Sequence, residues 1–175
     1  FEHMRFDPGW ANNGQDVTFL RQLGGAHRHV APTTLLNAMV YSGLFERHPK
    51  LTVLLAEVGV GWLPFLYREI DDRISPTAEL FLGKWKYPLK PSEYLAQHVR
   101  ATPLSAGNDS PLVRIMDELP EDMILFSSDF PHFEGFADPA GFYAKALDGL
   151  DAKRKAGFFH GAAEAIFARM GDPLH

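Results

Sequence analysis

Two carboxylates stand where two apolar runs break off. Asp129 follows the run Met123-Ile-Leu-Phe-Ser-Ser128, and Glu57 follows Leu51-Thr-Val-Leu-Leu-Ala56. His132 comes three residues after Asp129, across Phe130 and Pro131. An ionised carboxylate is acceptor-only, so Asp129 can ligate a cation and can also carry a proton. An imidazole beside it can orient it. The plainer alternatives are a cap or turn role for Asp129 and a turn role for His132. The chain has no cysteine, so a metal site here must be built from His, Asp and Glu. Trp62, shortly after Glu57, and Phe130, next to Asp129, suit an apolar wall for an aromatic or planar substrate, with plain packing the alternative for Trp62. A His-x-His pair, His27 and His29, follows Gly24-Gly25 in a stretch that does not read as a strand. It is read as a flexible loop rather than as ligands.

The elements that must position these groups follow from periodicity. Met123 to Phe126 is short, apolar and suited to a strand buried on both faces. Pro131 has no amide hydrogen, so that strand ends near Asp129. Leu51–Ala56 repeats the pattern, and Gly59 and Gly61 after it permit positive φ. His98–Thr102 is a third, weaker strand candidate. Acids at the C-terminal tips of buried strands lie where α/β proteins bind ligands.

Helices are expected between the strands. A short one, capped by Asp16, covers 16–23, and one over 31–47 has Gly43 inside it and ends at His48-Pro49. Others cover 63–74, the stretch opening at Pro91, 111–119, 141–147 and 151–170. Residues 1–15, 105–110 and 134–139 read as loops, and 75–91 as an irregular excursion whose aromatic residues seek burial. Strands alternating with helices imply a parallel sheet with helical crossovers, an α/β fold.

Bulk properties narrow the class. The 175 residues suffice for a single domain, residues 1–175, with a real core. A net charge of −5 with no basic block argues against nucleic acid as partner. No run is long enough to span a bilayer, which argues against a membrane partner. The lack of cysteine fits a reducing, cytoplasmic setting. The chain opens Phe1-Glu2-His3-Met4, so a piece of something longer is expected.

Three segments taken together carry a family resemblance. Gly43-Leu-Phe-Glu-Arg-His-Pro-Lys50, Glu57-Val-Gly-Val-Gly-Trp-Leu-Pro64 and Leu125-Phe-Ser-Ser-Asp-Phe-Pro-His132 resemble the metal-dependent hydrolases of the amidohydrolase superfamily. The nearest branch resembles aminocarboxymuconate-semialdehyde decarboxylase and related aromatic-acid decarboxylases. The resemblance implies a (β/α)8 TIM barrel with a catalytic divalent metal, zinc or else manganese, at its C-terminal face. It implies that the three strands are the sixth, seventh and eighth, so the chain is expected to be the C-terminal part of a longer barrel. Asp129 matches the eighth-strand aspartate that binds metal and handles a proton. Glu57 stands where many members carry histidine. His160-Gly-Ala-Ala163 stands where a late helix usually carries an Asn-Ala pair. The first-strand His-x-His pair has no counterpart.

The function so implied is metal-dependent hydrolysis of a small amide, ester or lactone, with Asp129, Glu57 and His132 catalytic. The alternative is non-oxidative decarboxylation of an aromatic or unsaturated acid. An alternative of another class is an inactive half-barrel with an assembly role. A flavodoxin-like binding domain would need a phosphate-cradling loop after its first strand, and none is present. A small-molecule substrate is expected, and a homo-oligomer, because three parallel strands leave apolar edges to be covered.

Overall fold

The computed structural model describes residues 17–104, 111–132 and 135–172. Helices α1 (Val17–Ala26), α2 (Val30–Tyr41) and α3 (Leu44–Arg47) precede β1 (Val53–Leu55). Helix α4 (Leu63–Glu69) runs into a 3-10 turn over Ile70–Ile74, then α5 (Pro76–Leu82) and α6 (Pro91–His98) lead to β2 (Val99–Ala101). Then come α7 (Leu112–Asp117), α8 (Pro139–Ala146), α9 (Ala152–Ala156), a wide π turn over Gly157–Gly161, and α10 (Ala162–Met170).

The sheet is parallel. β1 pairs with β2 in the register Val53 to Val99 and Leu55 to Ala101. The third run pairs on the far side of β2 through one parallel bridge, Ala101 to Ile124. Two hydrogen bonds hold it: Ala101 N–H to Met123 O at 2.8 Å and Leu125 N–H to Ala101 O at 3.0 Å. The next amide, Phe126 N–H, turns away to Phe158 O in the π turn at 2.9 Å. The expected eighth-type strand over Met123–Ser128 is therefore one bridge long, because its continuation bonds to a helix instead of to a strand.

The core lies between the sheet and the helices. Leu36, Val40, Phe45, Leu63, Ile70 and Leu95 are buried on the α2, α4 and α6 side. Tyr143, Leu147 and Phe158 are buried beneath the third run. Phe126 meets Tyr143 and Phe158 edge-on, with ring centroids 5.7 and 6.2 Å apart.

Several expectations are corrected. Gly24 and Gly25 are helical, so α1 runs past the expected break, and His27 and His29 stand in the turn before α2. The helix expected over 31–47 breaks at Gly43, which takes a left-handed φ of 71° that glycine tolerates. Residues 76–82, read as irregular, form α5, because Ser75 caps it by accepting from Ala78 N–H and Pro76 starts it. His98 belongs to the end of α6 rather than to a strand. Helix α8 begins at Pro139, with Asp138 accepting from Gly141 N–H, so the loop expected up to 139 ends earlier. The last helix is interrupted by the π turn. The loops expected over 1–15 and 105–110 lie outside the described residues, as does Asp16.

Candidate functional site

The register explains why distant residues meet. Leu55, Ala101 and Ile124 lie side by side, so the chain leaves all three runs at the same edge. Thr102 N–H donates to Leu55 O at 3.0 Å and keeps the exits of the first two level. Glu57 leaves the first run and Asp129 the third. Both take left-handed backbone angles, φ 60° and 56°. Few residues other than glycine adopt that conformation, and where they do it often marks a functional site. Each turns the chain off its run, and the two carboxylates meet at His132.

His132 stands between the two acids. Its Nδ1 is 3.4 Å from Asp129 Oδ1 and 3.7 Å from Glu57 Oε1. Its amide donates to Asp129 O at 2.9 Å, which closes the turn through Phe130 and Pro131. One ligand atom from each of Glu57, Asp129 and His132 lies within 4.8 Å of the others. The Asp129 side chain is 9% exposed, against 63% for Glu57 and 50% for His132. The aspartate is therefore the floor of the cluster, and the other two face solvent. Hydroxyls support the turn: Ser127 Oγ lies 3.4 Å from Asp129 N and Ser128 Oγ 3.2 Å from Phe130 N.

Trp62 is half-buried, and its indole N–H reaches Gly59 O at 2.9 Å and Val58 O at 3.2 Å. It ties down the turn that carries Glu57. Phe130 is 86% exposed beside Asp129. His160 pairs with Glu164 at 3.1 Å on the surface.

Two oxygen donors and one nitrogen donor suit a borderline or hard divalent cation such as zinc or manganese, and offer nothing to a soft one. Glu57, Asp129 and His132 are the residues of this chain that would hold it. A separate cleft of about 770 Å³ between α2, α4 and the segment after α5 includes none of the three.

His98 is a buried histidine whose role the sequence did not disclose. It is 2% exposed and stacks on Phe45 at 4.5 Å with the rings 15° apart. Its Nδ1 lies 2.6 Å from Leu51 O. A carbonyl only accepts, so Nδ1 carries the proton. Burial pushes its pKa down, against the hydrogen bond to Leu51, with Arg169 and Arg100 adding to the fall.

Comparison with known proteins adds four findings. A family model described as Amidohydrolase matches residues 5–169. The gamma-resorcylate decarboxylase of Rhizobium sp. is 33% identical over 95 residues, 53% of this chain and 28% of that protein. Among solved structures, an amidohydrolase from Mycobacterium avium subsp. paratuberculosis aligns with a TM-score of 0.71 at 25% identity, over 90% of this chain and 38% of that one. The 5-carboxyvanillate decarboxylase of Sphingomonas paucimobilis aligns with a TM-score of 0.59 at 29% identity, over 75% of this chain and 38% of that one. The aligned part of the chain thus covers less than two fifths of each of these proteins.

Proposed function

The chain belongs to the amidohydrolase family, and from that premise we propose that it carries part of the active site of a metal-dependent, non-oxidative decarboxylase of hydroxylated aromatic acids. The convergence of Glu57, Asp129 and His132 at one edge of a parallel sheet is the observation that carries this reading. The hydrolysis expected from the sequence would use the same residues. Relatives named as gamma-resorcylate and 5-carboxyvanillate decarboxylases favour loss of carbon dioxide instead. In the same proposal, β1, β2 and the run through Ile124 are the sixth, seventh and eighth strands of a (β/α)8 barrel. Coverage of 38% of a solved neighbour and the shared exit edge fit a part of such a barrel.

A bound divalent ion would supply positive charge against the substrate carboxylate. The chain's own groups do the rest. Asp129, the least exposed of the three, holds the proton and delivers it to the ring carbon that bears the carboxylate. A ring hydroxyl makes that carbon electron-rich enough to accept it. The bond to the carboxyl carbon then breaks, its electron pair stays with the ring, and carbon dioxide leaves. The balance needs no oxidant. His132, half-exposed and 3.4 Å away, returns a proton from solvent to Asp129. Glu57, 3.7 Å from the same Nδ1, adds a second negative charge beside the imidazole. Phe130 and Trp62 offer apolar faces at the edge of the site for the aromatic ring.

The test offers the full-length protein, purified and loaded with zinc or manganese, gamma-resorcylate, 5-carboxyvanillate and a set of small amides, esters and lactones. The expected result is carbon dioxide release matched by one mole of protonated arene. Hydrolysis of an amide or lactone without carbon dioxide release would overturn the decarboxylase reading and restore the hydrolytic one. Turnover of neither set would favour the assembly role.

A further inference from the structure

We propose that Gly135 is a positioning residue of the site, where the chain packs back against the turn that carries Asp129 and His132 and fixes the spacing of their side chains. The inference rests on the reading of Asp129 and His132 given above. It starts from a space that only glycine leaves. A Cβ on Gly135 would lie 3.0 Å from His132 O, 3.1 Å from Asp129 O and 3.2 Å from Ser128 O. Even close carbon–oxygen contacts in proteins settle at about 3.3–3.6 Å. All three oxygens belong to the backbone of the site's own turn. Gly135 does not take a left-handed φ. Its backbone therefore admits other residues, and what it needs is room. Its N–H also donates to His132 O at 3.0 Å, which holds it against the turn.

Neither side of this contact can back away. Next to Gly135, Phe136 stacks on Phe142 with ring centroids 3.8 Å apart and meets the buried Tyr143 edge-on at 6.2 Å. Upstream, the run into the turn is pinned at Phe126 N–H by Phe158 O, 2.9 Å away. The π turn makes that bond available. In an α-helix the Ala162 N–H would take Phe158 O, four residues back, but here it reaches Gly157 O, five back. The Ser127 and Ser128 hydroxyls then brace the amides of Asp129 and Phe130.

With both ends tied into the aromatic core, a methyl group at position 135 is accommodated by moving the carbonyls of Ser128, Asp129 and His132. The contact distances call for a shift of roughly 0.3 Å. It falls on the two residues whose Nδ1 and Oδ1 stand 3.4 Å apart.

Gly135→Ala in the full-length protein tests this. Gly149→Ala is the control, because a Cβ at Gly149 meets only Val113 Cγ1, at an ordinary 3.8 Å. Titration calorimetry reads manganese binding, and carbon dioxide release reads turnover of gamma-resorcylate or 5-carboxyvanillate, whichever the parent accepts. Folded Gly135→Ala should raise the manganese dissociation constant by ~10-fold and lower kcat at saturating manganese by ~10-fold or more, with KM within about twofold, the scale on which the supports of a metal ligand act. Its thermal midpoint should stay near the parent's, since alanine also restricts the unfolded chain and so offsets the local strain. Gly149→Ala should match the parent in binding and turnover. A Gly135→Ala protein that binds and turns over like the parent, or that loses thermal stability alone, would overturn the proposal. Failure of that variant to fold would do so too, by making the room at Gly135 a need of the fold. A parent that neither binds manganese nor releases carbon dioxide would overturn the reading of Asp129 and His132 itself, and this proposal with it.

Discussion

At the scale of single residues, Asp129 combines a constrained backbone with the role proposed for it. Its φ of 56° is one that asparagine tolerates better than most residues. Asp129→Asn keeps the size and the turn but loses the charge. The expected outcome is a thermal midpoint unchanged or slightly raised, with divalent-ion binding and carbon dioxide release both reduced by ~100-fold or more, in the range seen when an essential proton carrier is removed. Titration calorimetry with manganese or zinc and the release assay check the two losses separately. A variant that still binds and turns over would strip Asp129 of its role.

Glu57, Asp129 and His132, which the structure brings together, stand in the sequence as acids after apolar runs and a histidine three residues on, a local signal. What sequence could not show is their spacing, which rests on the register of Leu55, Ala101 and Ile124 across the sheet. Nor could it show that the Trp62 indole N–H bonds the turn beneath Glu57, since the contact depends on where Gly59 bends the chain.

At the scale of elements, the strands and most helices were visible as apolar periodicity, and the errors have common causes. The irregular reading of 75–91 expects Phe81 to be buried, whereas it is 83% exposed on α5. The single helix read over 31–47 treated Gly43 as a weak interior position, whereas it ends α2 and starts α3. Gly43 also lets another segment approach: a Cβ there would lie 2.2 Å from the Tyr87 ring, whose hydroxyl donates to Ser42 O at 3.1 Å. Gly43→Ala should therefore destabilise by about 2 kcal/mol or more, from the left-handed penalty plus displacement of Tyr87. Urea unfolding measures it, and a loss below about 0.5 kcal/mol, the size of an ordinary surface substitution, would show that neither constraint matters.

At the scale of the whole molecule, the α/β class was readable from the alternation of runs, but what joins the layers was not. The joints are long-range. Arg169 of α10 donates to Gln97 O at 2.8 Å and to Pro49 O. Asp71 accepts from both Ser92 N–H and its hydroxyl at the start of α6. His98 is the joint with a pH signature, linking the end of α6 to Leu51 O before β1 and stacking on Phe45 of α3. The groups around it include the Tyr94 ring and the cations Arg169 and Arg100. Because burial lowers its folded pKa, the folded chain binds fewer protons than the unfolded one just below the ordinary value of about 6.5.

The stability that neutral His98 contributes is therefore fully present above about pH 6.5, and it falls as the pH drops from there toward the lower folded pKa. One such proton makes the slope approach at most about 1.4 kcal/mol per pH unit within that window. His98→Gln retains a donor for Leu51 O but cannot titrate. It should be less stable than the parent at neutral pH, through loss of the ring stack, yet show a shallower fall between neutral and mildly acidic pH. Denaturant midpoints across that range decide it. Parallel pH profiles for parent and variant would place the acid sensitivity elsewhere and leave His98 as a packing residue alone.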